Sequence, residues 1–123
     1  MDVDDARPIW VQLAAEFRRR IAVGTWVPGA RIPSVRELAL ELGVNPNTVQ
    51  RALAETDREG LTLTERTAGR FVTDDIDTIA GARRDLAGAA TDAYVESVRG
   101  LGLDLGQVTE LLARRWVGRK EQQ

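Results

Sequence analysis

Residues 33–60, PSVRELALELGVNPNTVQRALAETDREG, restrict the possible folds of this chain more than any other stretch. Ser34 is a good helix N-cap, and Glu37 follows at the spacing of a capping box. Apolar residues then recur with helical periodicity at Val35, Leu38, Ala39 and Leu42. Gly43 can end this helix in a left-handed conformation, and Asn45 can cap a second helix whose first turn accommodates Pro46. The stretch therefore predicts two short helices joined by a tight turn.

The second predicted helix has a polar outer face. Its inward positions are Val49, Ala52 and Leu53. Asn47, Gln50 and Arg51 lie three and four residues apart and would form one exposed row. In a helix-turn-helix such a row meets base edges in the major groove, where arginine pairs with guanine and Asn or Gln with adenine. A helical hairpin with a solvated outer face explains the same residues, so both interpretations stay open on this pattern alone.

The composition excludes most catalytic chemistry. The 123-residue chain contains no cysteine and no histidine, which removes disulfides, thiolate nucleophiles, Cys/His metal sites and a Ser-His-Asp triad. Its acidic residues fall at the termini or at outward helix positions, where a solvated role is expected. We therefore predict that the protein is not an enzyme and needs no cofactor.

Length and hydropathy indicate one domain, or a small domain with an appendage. No apolar run approaches the ~20 residues of a membrane span. The N-terminus, MDVDDARP, is acidic and lacks the layout of a signal peptide. We therefore expect a cytoplasmic protein without a membrane partner.

Charge is unevenly distributed along the chain. The net charge of −2 does not by itself favour a nucleic-acid partner. Residues 7–73, however, hold ten arginines against seven acidic residues, a local charge of +3, while acidic residues crowd at 2–5 and 74–77. Because local basic patches determine the attraction to phosphates, double-stranded DNA is compatible with this chain. The modest excess predicts that two copies are needed for useful affinity.

Upstream of the two helices, a further helix is predicted from Arg7-Pro8 to about Val23. Its packing stripe consists of Trp10, Leu13, Phe17 and Ile21. Thr25–Val27 is typical of a strand-like step into a turn. We expect Trp26 and Ile32 to be core residues of a small sheet.

Downstream of them, the apolar period changes to that of strands. Residues 61–65 and 70–73 predict a two-stranded hairpin, and a hairpin directly after a recognition helix is a wing. Arg66 and Arg70 would lie at or near its tip. There they either contact a minor groove or phosphates, or merely solubilise an exposed turn.

Residues Pro8 to Val72 resemble the winged helix-turn-helix of the GntR family of bacterial transcription regulators. The matching sequences are PIWVQLAAEFRRRIAVGTWVPGARIPSVRELALELGVNPNTVQRALAETDREGL and, more loosely, RTAGRFV. The resemblance implies that Arg36 contacts DNA from the start of the second helix. We predict that Ser34, at the same end of this helix, is also a DNA-binding residue. It implies that Gly69 lets the wing approach the DNA backbone closely. It also implies a recognition helix lined by Asn45, Asn47, Thr48, Gln50 and Arg51.

The chain departs from the family pattern at two places. Family wings commonly have an Arg-Gly-x-Gly-Thr-like tip, whereas residues 66–70 read RTAGR and keep one of the two glycines. The contacts of the wing tip are therefore open. Thr56 stands where the family usually has a leucine, which predicts weaker packing of the recognition helix without a change in its outer face.

The last third predicts two amphipathic helices. The first runs from Asp77 to Gly100, and Asp104 with Gln107 gives the second a capping-box-like start. Their apolar faces consist of Leu86, Ala90, Tyr94, Val98 and Leu101, and of Leu105, Val108, Leu112 and Trp116. Two helices of this length cannot enclose a core alone, so we predict that these faces dimerise with a second copy. The short tail is similar to that of the YtrA subfamily, which serves dimerisation.

The predicted fold is mainly α with a small β wing. It comprises a winged helix-turn-helix at 7–75 and a helical hairpin for dimerisation at 76–119, with residues 1–6 and 120–123 flexible. The predicted function is that of a homodimeric, repressor-type transcription regulator on a pseudo-palindromic operator. The alternatives are a protein-interaction module and a small-ligand sensor without high-affinity DNA binding, and the sequence identifies no effector.

Overall fold

A computed structural model describes residues 3–121 and gives this part of the chain five helices and one two-stranded sheet. In chain order the elements are α1 (Ile9–Ala22), α2 (Val35–Leu42), α3 (Pro46–Arg58), β1 (Thr62–Glu65), β2 (Gly69–Val72), α4 (Ile76–Gly100) and α5 (Leu105–Glu121). The strands are antiparallel, with Thr62 opposite Val72 and Glu65 opposite Gly69. The predicted class, mainly α with a small β wing, is confirmed. Within the described residues, no helix combines the length and the apolar character that crossing a membrane requires.

The two helices of the predicted pair begin and end where the local signals indicate. The Ser34 hydroxyl accepts from the Glu37 backbone N–H at 3.1 Å, and the Glu37 carboxylate accepts from the Ser34 N–H at 3.2 Å. Gly43 ends α2 with φ 66°, a left-handed conformation in which a side chain is strained. The Asn45 side chain then accepts from the Asn47 N–H at 2.8 Å and caps α3. A capping box at the start of α2, the left-handed Gly43 at its end and a one-way side-chain cap on α3 therefore define the helix pair and its tight turn.

The N-terminal compact unit, which ends at Leu86, has one apolar core. Its fully buried large side chains are Leu13, Phe17, Ile21, Leu38, Val49, Leu53, Val72 and Ile79. The first turns of α4 belong to this unit, because Ile79 and Ala82 lie in the core and Arg83 donates to the Ala22 carbonyl at 2.8 Å. The division between the two compact units thus falls within α4, after Leu86, and the predicted domain bounds of 7–75 and 76–119 stay a prediction.

The segment before α2 differs from the prediction. Thr25–Val27 forms no strand; the Trp26 ring instead stacks on Phe17 with centroids 5.3 Å apart. The turn at Gly29 comes first, and the chain then runs beside β2. Here the Val72 N–H donates to the Ala30 carbonyl and the Ile32 N–H donates to the Arg70 carbonyl, each at 2.9 Å. Residues 30–32 therefore add a short third edge to the wing.

The described parts of the two ends make local contacts, and the predicted flexibility of residues 1–6 and 120–123 stays a prediction. The Gln12 side chain is buried and hydrogen-bonds to the Asp4 backbone and to the Arg7 carbonyl, which ties the chain to α1 from Asp4 onward. At the other end α5 continues to Glu121. Residues 1, 2, 122 and 123 lie outside the described part of the chain.

The C-terminal unit begins at Ala87 and contains the rest of α4 and all of α5. Asp104 and Gln107 exchange backbone-to-side-chain hydrogen bonds of 2.9 and 2.8 Å, as the predicted capping box requires. Val98 and Val108 are buried, but the other apolar positions on the predicted faces are not: Leu86 and Tyr94 are half-buried, and Ala90, Leu101, Leu105, Leu112 and Trp116 are exposed. Much of the apolar surface of this unit is therefore uncovered in a single protomer.

Candidate nucleic-acid interface

The outer face of α3 is exposed along its N-terminal half. Val49, Ala52 and Leu53 are at most 1% exposed, so they anchor the inner face of the helix in the core. Asn47, Gln50 and Arg51 are exposed, and Thr48 beside them is half-buried. The helix therefore presents the predicted polar row on a rigid, capped support.

Two of the predicted DNA-binding side chains also serve as helix caps. The Ser34 hydroxyl oxygen and the Asn45 carboxamide oxygen each accept a backbone N–H. Their remaining groups are donors, an O–H on Ser34 and an NH₂ on Asn45. Because phosphate oxygens accept only, both side chains can keep their caps and still donate to a DNA backbone.

The arginines of residues 7–73 fall into two groups. Six of the ten pair with carboxylates: Arg7, Arg18, Arg19, Arg20, Arg58 and Arg70. The other four are exposed and have no acidic partner in the part of the chain that the structure describes: Arg31, Arg36, Arg51 and Arg66. These four lie before α2, near its start, on α3 and on the wing turn. Within residues 7–73, the unneutralised positive charge therefore lies on α2 and α3 and on the segments before and after this helix pair, where it can attract DNA phosphates.

The arginines of α1, unlike the four exposed ones, are held by carboxylates and by an aromatic ring. Burial raises the pKa of the Glu16 carboxyl, but the hydrogen bonds from Arg20 and Arg19 outweigh burial and hold that pKa below its usual value. Arg20 also pairs with Glu41 at 2.6 Å and lies over the Trp26 ring at 5.4 Å. Arg18, Arg19 and Arg20 on α1 are thus all paired with carboxylates and contribute little free charge to the surface.

Trp10 does not lie in the core as its place in the α1 stripe predicted. It is only half-buried, and the Arg51 guanidinium lies over its ring, 4.2 Å from the centroid. Ile9, Asn47 and Thr48 line the same shallow groove. A cation over the face of a tryptophan is held by the ring quadrupole, so α1 orients the Arg51 side chain on the outer face of α3.

Arg70 is not at the wing tip. It lies in β2 opposite Thr64, its side chain is 14% exposed, and its guanidinium pairs with Asp57 at 2.9 Å. The tip turn consists of residues 66–68, so Arg66 is the exposed cation there. The geometry favours a structural role for Arg70, and its contact with DNA stays a prediction.

Thr56 is not a packing defect. It is fully buried, and its hydroxyl lies 2.9 Å from the Leu53 carbonyl and 2.8 Å from the Thr62 hydroxyl. Thr62 in turn donates to Asp57, which also binds Arg70. We call Thr56, Thr62, Asp57 and Arg70 the wing clamp. It joins α3 to both strands, which corrects the prediction that Thr56 weakens the packing of α3.

Comparison with protein families identifies the group to which this interface belongs. The profile of bacterial regulatory proteins of the gntR family matches residues 10–72, just over half of the 123-residue chain. The chain belongs to the GntR family. It is therefore a DNA-binding transcription regulator and not an enzyme, as predicted.

Relatives of GntR type match beyond the winged unit. The HTH-type transcriptional regulator YhcF of Bacillus subtilis (strain 168) is 31% identical over 105 residues, which cover 85% of this chain and 87% of YhcF. The HTH-type transcriptional repressor YtrA of the same organism is 36% identical over 78 residues, covering 63% of this chain and 60% of YtrA. The similarity to YtrA agrees with the predicted YtrA-like character of the chain.

Solved GntR-type structures have the same fold. A GntR family transcriptional regulator from Listeria monocytogenes matches with a TM-score of 0.81 and 32% identity, covering 91% of this chain and 98% of its own. The DNA-binding domain of AraR, in complex with operator ORX1, matches with a TM-score of 0.53 and 26% identity, covering 59% of this chain and 89% of the AraR chain. A winged unit of this fold thus binds operator DNA in AraR.

Proposed function

We propose that this regulator binds an operator as a homodimer and represses transcription there. The exposed row Asn47, Gln50 and Arg51 carries the proposal, because it lies on a capped helix with unneutralised arginines around it. Such a row suits direct readout in a major groove. The repressor name of YtrA supports the direction of regulation. Since operator DNA lies in the cytoplasm of a bacterium, the proposal places the protein there.

Within each half-site the exposed side chains divide into two roles. Arg51 and Gln50 read base edges, with Asn47 beside them, because these three side chains form the exposed outer row of α3. Arg36 contacts DNA from the first turn of α2. Donor groups at the helix starts and at the wing turn bind phosphates and so fix the position of the protein on the duplex. These donors belong to Ser34, Asn45, Thr48 and Arg66.

The C-terminal unit supplies the second half-site by bringing in a second copy. Leu101 in the turn after α4, and Leu105 and Trp116 on α5, are each more than three-quarters exposed in the protomer, which leaves an apolar patch for a partner to cover. A two-fold interface buries the same patch on both copies, so one apolar face suffices. Two reading helices then enter successive major grooves about 34 Å apart on a pseudo-palindromic operator.

Selection of bound fragments from genomic DNA tests this proposal as a whole. We expect one motif with two inverted halves whose centres lie about one helical turn apart. Binding should weaken steeply with salt while the preference for the motif persists. A protein that binds all fragments alike, or binds none at low ionic strength, contradicts the proposal and favours an interaction module instead.

Replacing Arg51 by alanine is expected to weaken operator binding by about 1–3 kcal/mol per half-site and to relax the preference at one base position. Trp10→Ala is expected to produce the same relaxed preference with a smaller loss, because Arg51 keeps its charge but loses the ring that orients it. Binding of wild type and variants to operators with every single-base change measures both effects.

Trp10→Phe is the matched control, because it keeps an aromatic face under the guanidinium. It should retain most of the affinity and the wild-type base preference. If Arg51→Ala instead weakens all operator sequences equally, Arg51 contacts a phosphate and does not read a base.

A further inference from the structure

A cleft between the wing and the helix pair contains a cation that no DNA-binding prediction included. The cleft has a volume of about 280 Å³ and is lined by Arg31, Ser34, Gln50, Thr64 and Gly69, among others. Three of these, Ser34, Gln50 and Gly69, are predicted DNA contacts. Arg31 comes from the segment before α2.

The backbone on either side of Arg31 is fixed. Arg31 itself bridges to Phe71 of β2, and hydrogen bonds of 2.9 Å on both sides of it join Ala30 to Val72 and Ile32 to Arg70. Pro33 follows directly, and α2 begins at Val35 with its capping box. The backbone that carries the Arg31 side chain is therefore already fixed. Binding of a partner to Arg31 then costs less conformational entropy.

The Arg31 side chain lies against the backbone of Gly69. A Cβ at position 69 would lie 2.8 Å from Arg31 Nε and 3.2 Å from Nη2, so only a glycine leaves room for the guanidinium in this position. Gly69 also has φ 108°, where any side chain is strained. The single glycine that remains in this wing thus shapes the cleft around Arg31.

The charge of Arg31 is uncompensated where it lies. The other guanidinium in the cleft, that of Arg70, is neutralised by Asp57. Arg31 is exposed and has no acidic partner among the side chains of residues 3–118. Ser34 still has an O–H to donate beside it, since only its oxygen serves the cap.

We propose that this cleft is a phosphate-binding site for the operator backbone, with Arg31 as its cation. The inference rests on the proposed operator binding. A phosphate offers acceptors only, and it meets donors from Arg31 and Ser34 in the cleft. The tip turn 66–68 does not line the cleft. The site therefore binds the DNA backbone beside α3 and contacts no base.

The test compares Arg31→Ala, Arg31→Lys and wild type on one operator over a salt series. Each phosphate contact contributes about 0.9 to the slope of log affinity against log salt, so Arg31→Ala should lower the slope by about 1.8 for a dimer with two half-sites. Between 50 and 200 mM salt, the ratio of the wild-type operator affinity to that of Arg31→Ala should then fall about twelvefold. Arg31→Lys should keep most of the slope, because the charge remains. The loss should be the same for every single-base operator variant.

Arg84→Ala is the matched control, because Arg84 is exposed on α4 and also lacks an acidic partner among the described residues. It should leave the slope unchanged. Gly69→Ala, which displaces the Arg31 guanidinium but leaves its charge, should keep more of the slope than Arg31→Ala does. Thermal melting of each variant checks that the fold is kept.

Three results would overturn the inference. They are an unchanged slope in Arg31→Ala, a loss confined to one base position, and a loss of affinity that Arg31→Lys shares in full. In each of them wild type still prefers its operator, so the proposed function survives. If wild type itself shows no operator preference, the proposed function is contradicted, and the inference that rests on it fails with it.

Discussion

Replacing Asp57 by alanine is expected to lower the free energy of unfolding by about 2–4 kcal/mol. The change leaves the Arg70 guanidinium, which is 14% exposed, without its carboxylate, and it removes the acceptor of the Thr62 hydroxyl. Removing one partner of a buried pair costs about 3–5 kcal/mol, and the 28% exposure of Asp57 reduces this somewhat. Urea unfolding followed by circular dichroism at a fixed protein concentration measures the loss.

The pair formed by Glu55 and Arg58 on the same helix provides the control. Its arginine is 71% exposed, so Glu55→Ala leaves no buried charge without a partner and should shift the midpoint of unfolding much less than Asp57→Ala does. The double variant Asp57→Ala with Arg70→Met should recover part of the loss, because no charge is then left without a partner. If Asp57→Ala is as mild as Glu55→Ala, the wing clamp contributes nothing to stability.

The second large effect is expected from Trp116→Glu. The ring is 77% exposed in the protomer, so folding of the chain does not depend on it. At a two-fold interface, however, the change places a charge in an apolar patch on both copies and removes a tryptophan, the residue type most often found at hot spots. We expect a monomer at micromolar concentration. Affinity for the full operator should fall by at least about a hundredfold, because the second half-site is no longer bound in the same event.

Analytical ultracentrifugation and operator titration measure the two consequences of Trp116→Glu separately. Arg114→Glu also adds a glutamate to α5, on the opposite face and two residues away. Although it breaks the exposed pair with Glu110, it should preserve both the dimer and its affinity. Binding of Trp116→Glu to an isolated half-site should match that of wild type. A variant that still dimerises contradicts the assignment of this helix face to the interface.

The helices of this protein follow from signals that span a few residues each. The capping box of Ser34 and Glu37, the left-handed Gly43 and the cap at Asn45 act within one turn of helix, so the sequence shows them directly. The second capping box, at Asp104 and Gln107, is of the same kind. The exposure of Asn47, Gln50 and Arg51 follows from helical periodicity once their helix is placed.

Strand-like segments were less predictable because their pairing depends on partners far along the chain. Residues 30–32 satisfy their backbone groups on β2, about forty positions away, and nothing in their own spacing indicates that partner. Trp26 is buried as expected, but it packs on Phe17 of α1 and not in a sheet. Burial could therefore be predicted from residue type, whereas the neighbours could not.

By itself the sequence determined the capped helix pair, its polar row and the apolar tail, since each depends on local propensity and periodicity. Only the tertiary structure decided what each arginine does. Arg70 meets Asp57, Arg51 meets Trp10, and the Arg31 guanidinium lies over Gly69. The physical reason is that a cation's role depends on the carboxylate, ring or open cleft that folding brings within a few ångströms of it, and those partners lie 13, 41 and 38 positions away in the chain.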